Sequence, residues 1–277
     1  MSSSTFQVAK QPAGSAITRN AQASNDFILK LAEAKGVLSQ AAAQYAATTA
    51  GGAPEVVQAS SLGAEDVVIS HLINSLQLDI GIFVLETGRL HAETLALLEE
   101  FKASSRAPVT VYTPIQESVV QFVAREGHDA MYKSMALRKE CCNIRKMEPL
   151  ARALKGKQAW ITGLRREQSG ARAEVPLVDT SEARTKLNPL ANWTWGDVWH
   201  YIRENAVAYN PLHDQFFPSI GCEPCTRAIS LGEDFRSGRW WWEDEAAKEC
   251  GLHVKSGPAT AAITPSSPSE ISTKTPA

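Results

Sequence analysis

Apolar residues recur with helical spacing from Phe27 to Tyr45 and again from Ala92 to Lys102, and elsewhere they gather into short runs bounded by polar loops. Four of these runs, Val56 to Ser60, Ile80 to Leu85, Val109 to Tyr112 and Ala159 to Thr162, read as strands. The alternation predicts an α/β fold with a Rossmann-like, doubly wound, mostly parallel sheet, whose ligands sit beyond the carboxyl ends of the strands. A further amphipathic helix is predicted to start near Thr194, with Trp193, Trp195, Trp199 and Tyr201 as packing residues. Residues 1–25, rich in Ser, Ala, Gln and Asn, and residues 256–277, nearly all Ser, Thr, Pro, Ala and Gly, are too polar and broken to pack, so both are expected to be disordered.

Three of the predicted strands run into loops with candidate chemistry. Ser60, Ser61, Leu62 and Gly63 lie between an apolar strand and the helical Val67 to Ser70, where small residues and a helix N-terminus suit an anion. The segment lacks the Gly-Lys-Ser/Thr of a Walker loop, which argues against nucleoside triphosphate hydrolysis. Leu85-Glu86-Thr87-Gly88-Arg89 ends the second strand, and Thr162-Gly163-Leu164-Arg165-Arg166-Glu167-Gln168-Ser169 ends the fourth. Each loop taken alone is equally an ordinary turn or a capped helix start. Their shared position after strands predicts convergence on one edge of the sheet.

Composition narrows the class. With 277 residues, 44% of them hydrophobic, the chain can bury the core of one substantial α/β domain. Its 28 basic and 30 acidic residues leave a formal charge of −2, so nucleic acid is not an expected partner and any anion site must be a local gathering of cations. No apolar run approaches the roughly 18 residues of a membrane span, and no charged n-region and apolar h-region open the sequence, so a cytoplasmic protein is expected.

The five cysteines divide four plus one. Cys141 and Cys142 are adjacent, Cys222 and Cys225 form a Cys-x-x-Cys, and Cys250 stands apart in a Glu-Cys-Gly-Leu-His segment. Four thiolates suffice for a metal site and leave one thiol for chemistry. Disulfides fit poorly with the expected compartment. A structural zinc more usually draws on two Cys-x-x-Cys knuckles, whereas neighbouring cysteines serve different irons of a cluster more easily, so spacing leaves both metals open.

At this point the motifs carry a resemblance. Ser-Leu-Gly-Ala-Glu-Asp, Leu-Glu-Thr-Gly-Arg, Cys141-Cys142-Asn143-Ile144-Arg145-Lys146, Thr162 to Ser169, Lys186 to Leu190, Tyr209 to His213, Gly221 to Arg227, Gly232 to Glu243 and Lys248 to His253 resemble, in order, the assimilatory adenylyl-sulfate reductases of the APS/PAPS reductase family. The resemblance implies an adenine nucleotide α-hydrolase-like fold, with a reductase domain over residues 26–243 and a mobile catalytic tail over 244–255. It implies reduction of adenosine 5′-phosphosulfate (APS) to sulfite and AMP with electrons from thioredoxin or glutaredoxin, through a Cys S-sulfonate, in sulfate assimilation.

The resemblance also assigns roles. It gives Cys141, Cys142, Cys222 and Cys225 to a [4Fe-4S] cluster, and because the reductases of the 3′-phosphorylated substrate commonly lack these four, it favours APS while leaving dual use open. It makes Cys250 the nucleophile and Lys146, Arg236 and Arg239 the substrate-anion contacts, needed because charge gathers on sulfate and leaving phosphate in the transition state. Ser60, Ser61, Leu62, Gly63, Leu85, Thr87, Gly88, Gly163, Arg165, Arg166 and His253 are the remaining candidate substrate contacts. Eight residues separate Trp242 from Cys250, a reach of about 28 Å at ~3.5 Å per residue. Trp240 to Trp242 are expected to cover the cluster or anchor that tail, and His213 to be a hydrogen-bonded turn residue rather than a ligand. A homo-oligomer is also implied. Competing readings are a PAPS or dual-specificity reductase, an adenylating enzyme of the ATP pyrophosphatase type, and an iron–sulfur nucleotide sensor without turnover.

Overall fold

The computed structural model describes residues 14–47 and 52–243. Its first long element after a short helix α1 (Ala16–Asn20) is α2 (Phe27–Gln44), which buries Phe27, Ala34, Leu38 and Ala41. Three β–α units follow: β1 (Val56–Ser60), α3 (Ala64–Ser75), β2 (Gly81–Leu85), α4 (Ala92–Ser104), β3 (Val109–Tyr112) and α5 (Gln116–Glu126). Helix α6 (Met135–Cys142) passes through a π-helical turn, Asn143–Met147, into α7 (Glu148–Ala153) and β4 (Ala159–Ile161). Strands β5 (Val178–Asp179) and β6 (Thr185–Leu187) precede α8 (Trp195–Glu204).

The strands form one sheet in the order β3-β2-β1-β4-β6-β5, parallel except for β5, which runs antiparallel to β6. The apolar runs β1 and β2 are central because both faces are covered, as continuous runs of Val, Ile and Phe require. The chain winds from β1 outward to β3 and then returns to add β4 on the other side of β1. Strand order therefore reverses at the β1/β4 crevice, where an open parallel sheet binds its ligands.

The sequence expectation fails at two places. Residues 14–25 are not unstructured: Ser15 caps α1, and Ala16 and Ile17 enter the main core, with α1 lying against α8. Asp214 accepts from the Ala16 amide at 2.6 Å, and Asp197 accepts from the Ser24 amide at 2.7 Å, so a polar segment is fixed by carboxylates brought from elsewhere in the chain. Strands β5 and β6 were not predicted. They are short and polar, and their pairing is visible only once β4 supplies an edge.

Candidate functional site

The carboxyl ends of β1, β2 and β4 open into a cavity of about 210 Å³. Ser60, Ser61 and Gly63 come from the β1 loop, Leu85 and Thr87 from the end of β2, and Thr162 and Gly163 from the end of β4, so all three predicted loops meet there. Lys146, Arg236 and Arg239 stand on the same wall. Two distant stretches thus deliver cations to the place where the topology puts a ligand.

The β1 loop is built differently from a phosphate loop. Asp66, in the first turn of α3, accepts from the Ser61 amide and hydroxyl through Oδ2, both at 2.7 Å. The Leu62 amide donates to Ser60 Oγ at 3.2 Å and the Gly63 amide to Ser61 Oγ at 3.4 Å. Amides that would cradle an anion are thereby occupied by the loop's own side chains. Leu62 itself has φ +60°, a left-handed conformation held because its side chain is fully buried in the core, so it contributes shape rather than cavity wall. Gly163 faces this loop so closely that a Cβ on it would lie 2.5 Å from Asp66 Oδ1. Burial pushes the Asp66 carboxyl up to about 6 against the pull of the Ser61 hydroxyl and amide.

Two predicted substrate contacts face elsewhere. Arg165 is buried, its Nε 2.8 Å from Glu65 Oε1 and its Nη1 2.9 Å from Glu167 Oε2, so its charge neutralises the protein's own carboxylates. Arg166 is spent on the Val175 carbonyl and Asn192 at the surface. Neither lines the cavity, and Gly88 does not either: it turns the loop with φ +69° beside Arg145. In their place the wall holds Gln168 and Arg172, whose Nη1 donates to Gln168 Oε1 at 2.7 Å. Asp66, Gln168, Arg172 and His213 were missed as wall residues. Asp66, Gln168 and His213 all fall inside the quoted motifs, and Arg172 follows the last of the three loops by three residues, so position in a motif was the available signal.

His213 behaves as the turn residue expected. Its Nδ1–H donates to the Phe217 carbonyl at 2.7 Å, and burial lowers its pKa to about 4, so the ring is neutral with the Nε2 lone pair buried and without a donor among the described residues. Arg239 is also buried. Its Nη1 donates to Ser219 and the Ile220 carbonyl, its Nε has no acceptor among the described residues, and Gly221 is a glycine because a Cβ there would collide with the guanidinium. A buried donor without an acceptor, on a cavity wall, is chemistry suited to an anion.

The four cysteines lie against the cation end of this cavity. Cys141 and Cys142 close α6, and the π-helical turn that follows carries Arg145 and Lys146. Cys222 and Cys225 are brought in by the β2 loop, where Glu223 N–H donates to the Arg89 carbonyl at 2.8 Å and Thr87 Oγ1 lies 3.3 Å from Cys222 Sγ. All four line one small pocket with Arg89, Arg138, Arg145 and Lys146, backed by Phe122, Met131 and Trp240. Lys146 lines both this pocket and the large cavity.

The donor set fits an anionic polynuclear group. Burial raises the Cys141 thiol and, with Cys222 nearby, pushes Cys225 up to about 11, so a bound metal is what would make these groups thiolates. Among the described residues no three His, Cys, Asp or Glu side chains are drawn around the position of a single ion. Four sulfurs around a shared pocket, ringed by cations that offset a net negative charge, fit a metal group held by four thiolates. Cys250 and His253 lie outside the described residues.

The architecture is that of the adenine nucleotide α-hydrolase-like proteins, with the ligand cavity at the switch point of the sheet. Residues 55–228 match the phosphoadenosine phosphosulfate reductase domain family, and the chain belongs to it. The adenosine 5′-phosphosulfate reductase of Burkholderia cepacia is 54% identical over 198 residues, 71% of this chain and 79% of that protein. That of Allochromatium vinosum is 51% identical over 200 residues, 72% and 78% of the two chains. Among solved structures, phosphoadenylyl-sulfate reductase from Candida auris superposes with a TM-score of 0.57 at 27% identity, covering 74% of this chain and 98% of that one.

Proposed function

We propose that this protein reduces adenosine 5′-phosphosulfate to sulfite and AMP, with a thioredoxin-type dithiol as reductant. The observation that carries this reading is the position of Lys146, on the wall of the switch-point cavity and of the four-cysteine pocket at once. An anion held there by Lys146, Arg236 and Arg239 meets fixed positive charge, and the 54% identical relative is named for reduction of this substrate.

The chemistry follows from charge. A Cys250 thiolate attacks the sulfuryl sulfur, the bond from sulfur to the phosphate oxygen breaks, and AMP leaves with the electron pair. Negative charge grows on that oxygen and on the sulfate oxygens, where the guanidinium of Arg239, already desolvated, costs no reorganisation. A dithiol thiolate then attacks Cys250 Sγ and expels sulfite, and its second thiol resolves the mixed disulfide, regenerating the Cys250 thiolate. Cys141, Cys142, Cys222 and Cys225 would hold a [4Fe-4S] cluster. When bound it would supply a fixed electrostatic field beside Lys146, and the sulfur chemistry needs no electron from it.

Substrate given without reductant should release one AMP per active site and leave an adduct of about 80 mass units on the peptide carrying Cys250. Cys250→Ser should bind AMP and form no adduct. Sulfite production by that variant at the wild-type rate would overturn the assignment.

A further inference from the structure

Between Cys225 and Trp240 the chain makes a loop without a helix or strand of its own. Its base is closed where Thr226 bridges to Arg239 and the Arg227 amide donates to the Gly238 carbonyl at 3.0 Å. Arg227 pairs with Glu233 at 2.6 Å, which braces the loop against itself, while Leu231 is left 93% exposed. A closed base does not fix the direction of Arg236, which this loop carries on the cavity wall.

The residue before Arg236 does fix it. The Ser237 amide donates to the Asp234 carbonyl at 2.9 Å, so Phe235 and Arg236 are the central residues of one tight turn and move together. The Phe235 ring meets the Trp195 ring edge to face, with centroids 4.9 Å apart and planes at 86°, and its centroid lies 5.7 Å from the Arg165 guanidinium carbon. Both partners are held in place. Trp195 opens α8 inside the Thr194–Asp197 capping box, and its amide donates to Glu167 Oε2 at 2.6 Å. Arg165 is fully buried, paired with Glu65 and Glu167, and 5.2 Å from the Trp195 ring. The motif arginine that does not reach the cavity thus builds the platform on which the loop rests.

We propose that Phe235 is the positioning residue of Arg236: seated on Trp195 and Arg165, its ring holds the turn so that the guanidinium stands on the cavity wall before substrate arrives. This rests on the function proposed above. Fixed charge stabilises a developing anion without reorganisation, whereas an arginine on a loop free to swing must first be ordered by its ligand. Phe235 also borders the cavity, but a hydrocarbon ring offers an anion no hydrogen-bond donor, so its effect passes through the guanidinium beside it.

The test is a double-variant cycle on cluster-loaded protein, read as AMP affinity by calorimetric titration and as single-turnover kcat/KM for AMP release from adenosine 5′-phosphosulfate. Phe235→Ala should reproduce most of the loss caused by Arg236→Ala, about five- to tenfold, and should cost less than about twofold when Arg236 is already alanine. Phe235→Tyr, which keeps the ring, should stay within about twofold of wild type on both readouts. A Phe235→Ala loss of equal size in both backgrounds would overturn the inference. So would a folded Phe235→Ala protein with wild-type values, or a Phe235→Tyr protein as impaired as Phe235→Ala. Should Phe235→Ala fail to fold, Phe235→Leu keeps most of the volume without the ring edge, and the same cycle is read with it. Wild-type protein that releases no AMP from this substrate would instead overturn the proposed function, and this inference with it.

Discussion

Arg138 and Glu243 form a buried two-pronged ion pair, Nε to Oε1 at 2.9 Å and Nη2 to Oε2 at 2.7 Å, with the two side chains only 1% and 6% exposed. Arg138 belongs to α6, the helix that ends in Cys141 and Cys142, and Glu243 is the last described residue before the segment that carries Cys250. The Arg138 guanidinium also lies 4.6 Å from the Trp240 ring, and that of Arg239 lies 4.7 Å from it. Glu243 is thus clamped to the cysteine helix beside a cation of the cavity wall.

Breaking the clamp from one side leaves a charge buried. Glu243→Ala should destabilise the protein by about 3–5 kcal/mol, whereas replacing Arg138 and Glu243 together with apolar residues should recover much of that loss. Urea unfolding of the single and double variants measures both. Additive losses would show that the two residues do not act as a pair.

The cysteine pocket makes a compositional prediction. Anaerobically purified protein should be brown and carry roughly four irons and four acid-labile sulfides per chain. Cys222→Ser should lose most of both, since Cys222 lines the pocket with the other three cysteines and its Sγ is fixed 3.3 Å from Thr87 Oγ1. Stoichiometric zinc without sulfide in the wild-type protein would contradict the assignment.

Asp197 sets an acid limit on stability. Burial pushes its carboxyl up, but the amides of Ser24 and Thr194, the Ser24 hydroxyl and the Lys30 ammonium together hold it below the usual carboxylate range. A folded-state pKa lower than the unfolded one means the contribution is fully present above about pH 4 and is lost as pH falls through the folded value. Asp197→Asn should cost about 1–3 kcal/mol at pH 7, because an amide cannot replace all these acceptor contacts. Its stability should then fall less steeply than wild type between pH 4 and pH 2, as thermal melts would show.

Those contacts also show what the sequence could and could not reveal. Strands β1, β2 and β4 were legible because largely buried strands must be apolar runs, the half-buried β3 because it is β-branched and aromatic, and α8 because Thr194 caps it through its hydroxyl. The packing of Ser15–Asn20 was not, since its partners, Asp214 and α8, lie nearly two hundred residues away. Arg165 and Arg239 make the same point within the site. Both are arginines in motif loops, and only the fold shows that Glu65 and Glu167 pair with one away from the cavity while the other lines it. Asp66 stands in the first turn of α3, and its hold on Ser61 became visible only with the loop's left-handed turn at Leu62.

The cations of the cavity should separate by role. Lys146 lies where sulfate charge would develop beside the cysteines, so Lys146→Ala should lower the single-turnover rate on the order of 10²-fold with a smaller effect on AMP affinity. Arg239 is built into its place by Gly221, Ser219 and the Ile220 carbonyl, and presents a fork whose buried Nε–H lacks an acceptor. Arg239→Lys keeps the charge but not the fork, so it should weaken AMP binding as well as slow the reaction, because a point charge cannot reproduce paired donors to a phosphate or sulfate. Arg236→Ala, on the same wall, should weaken binding too. The comparison needs AMP titrations and single-turnover rates at saturating substrate for all three. If Lys146→Ala loses affinity as much as rate, Lys146 binds ground and transition states alike, and the special position between the two cavities does not serve catalysis.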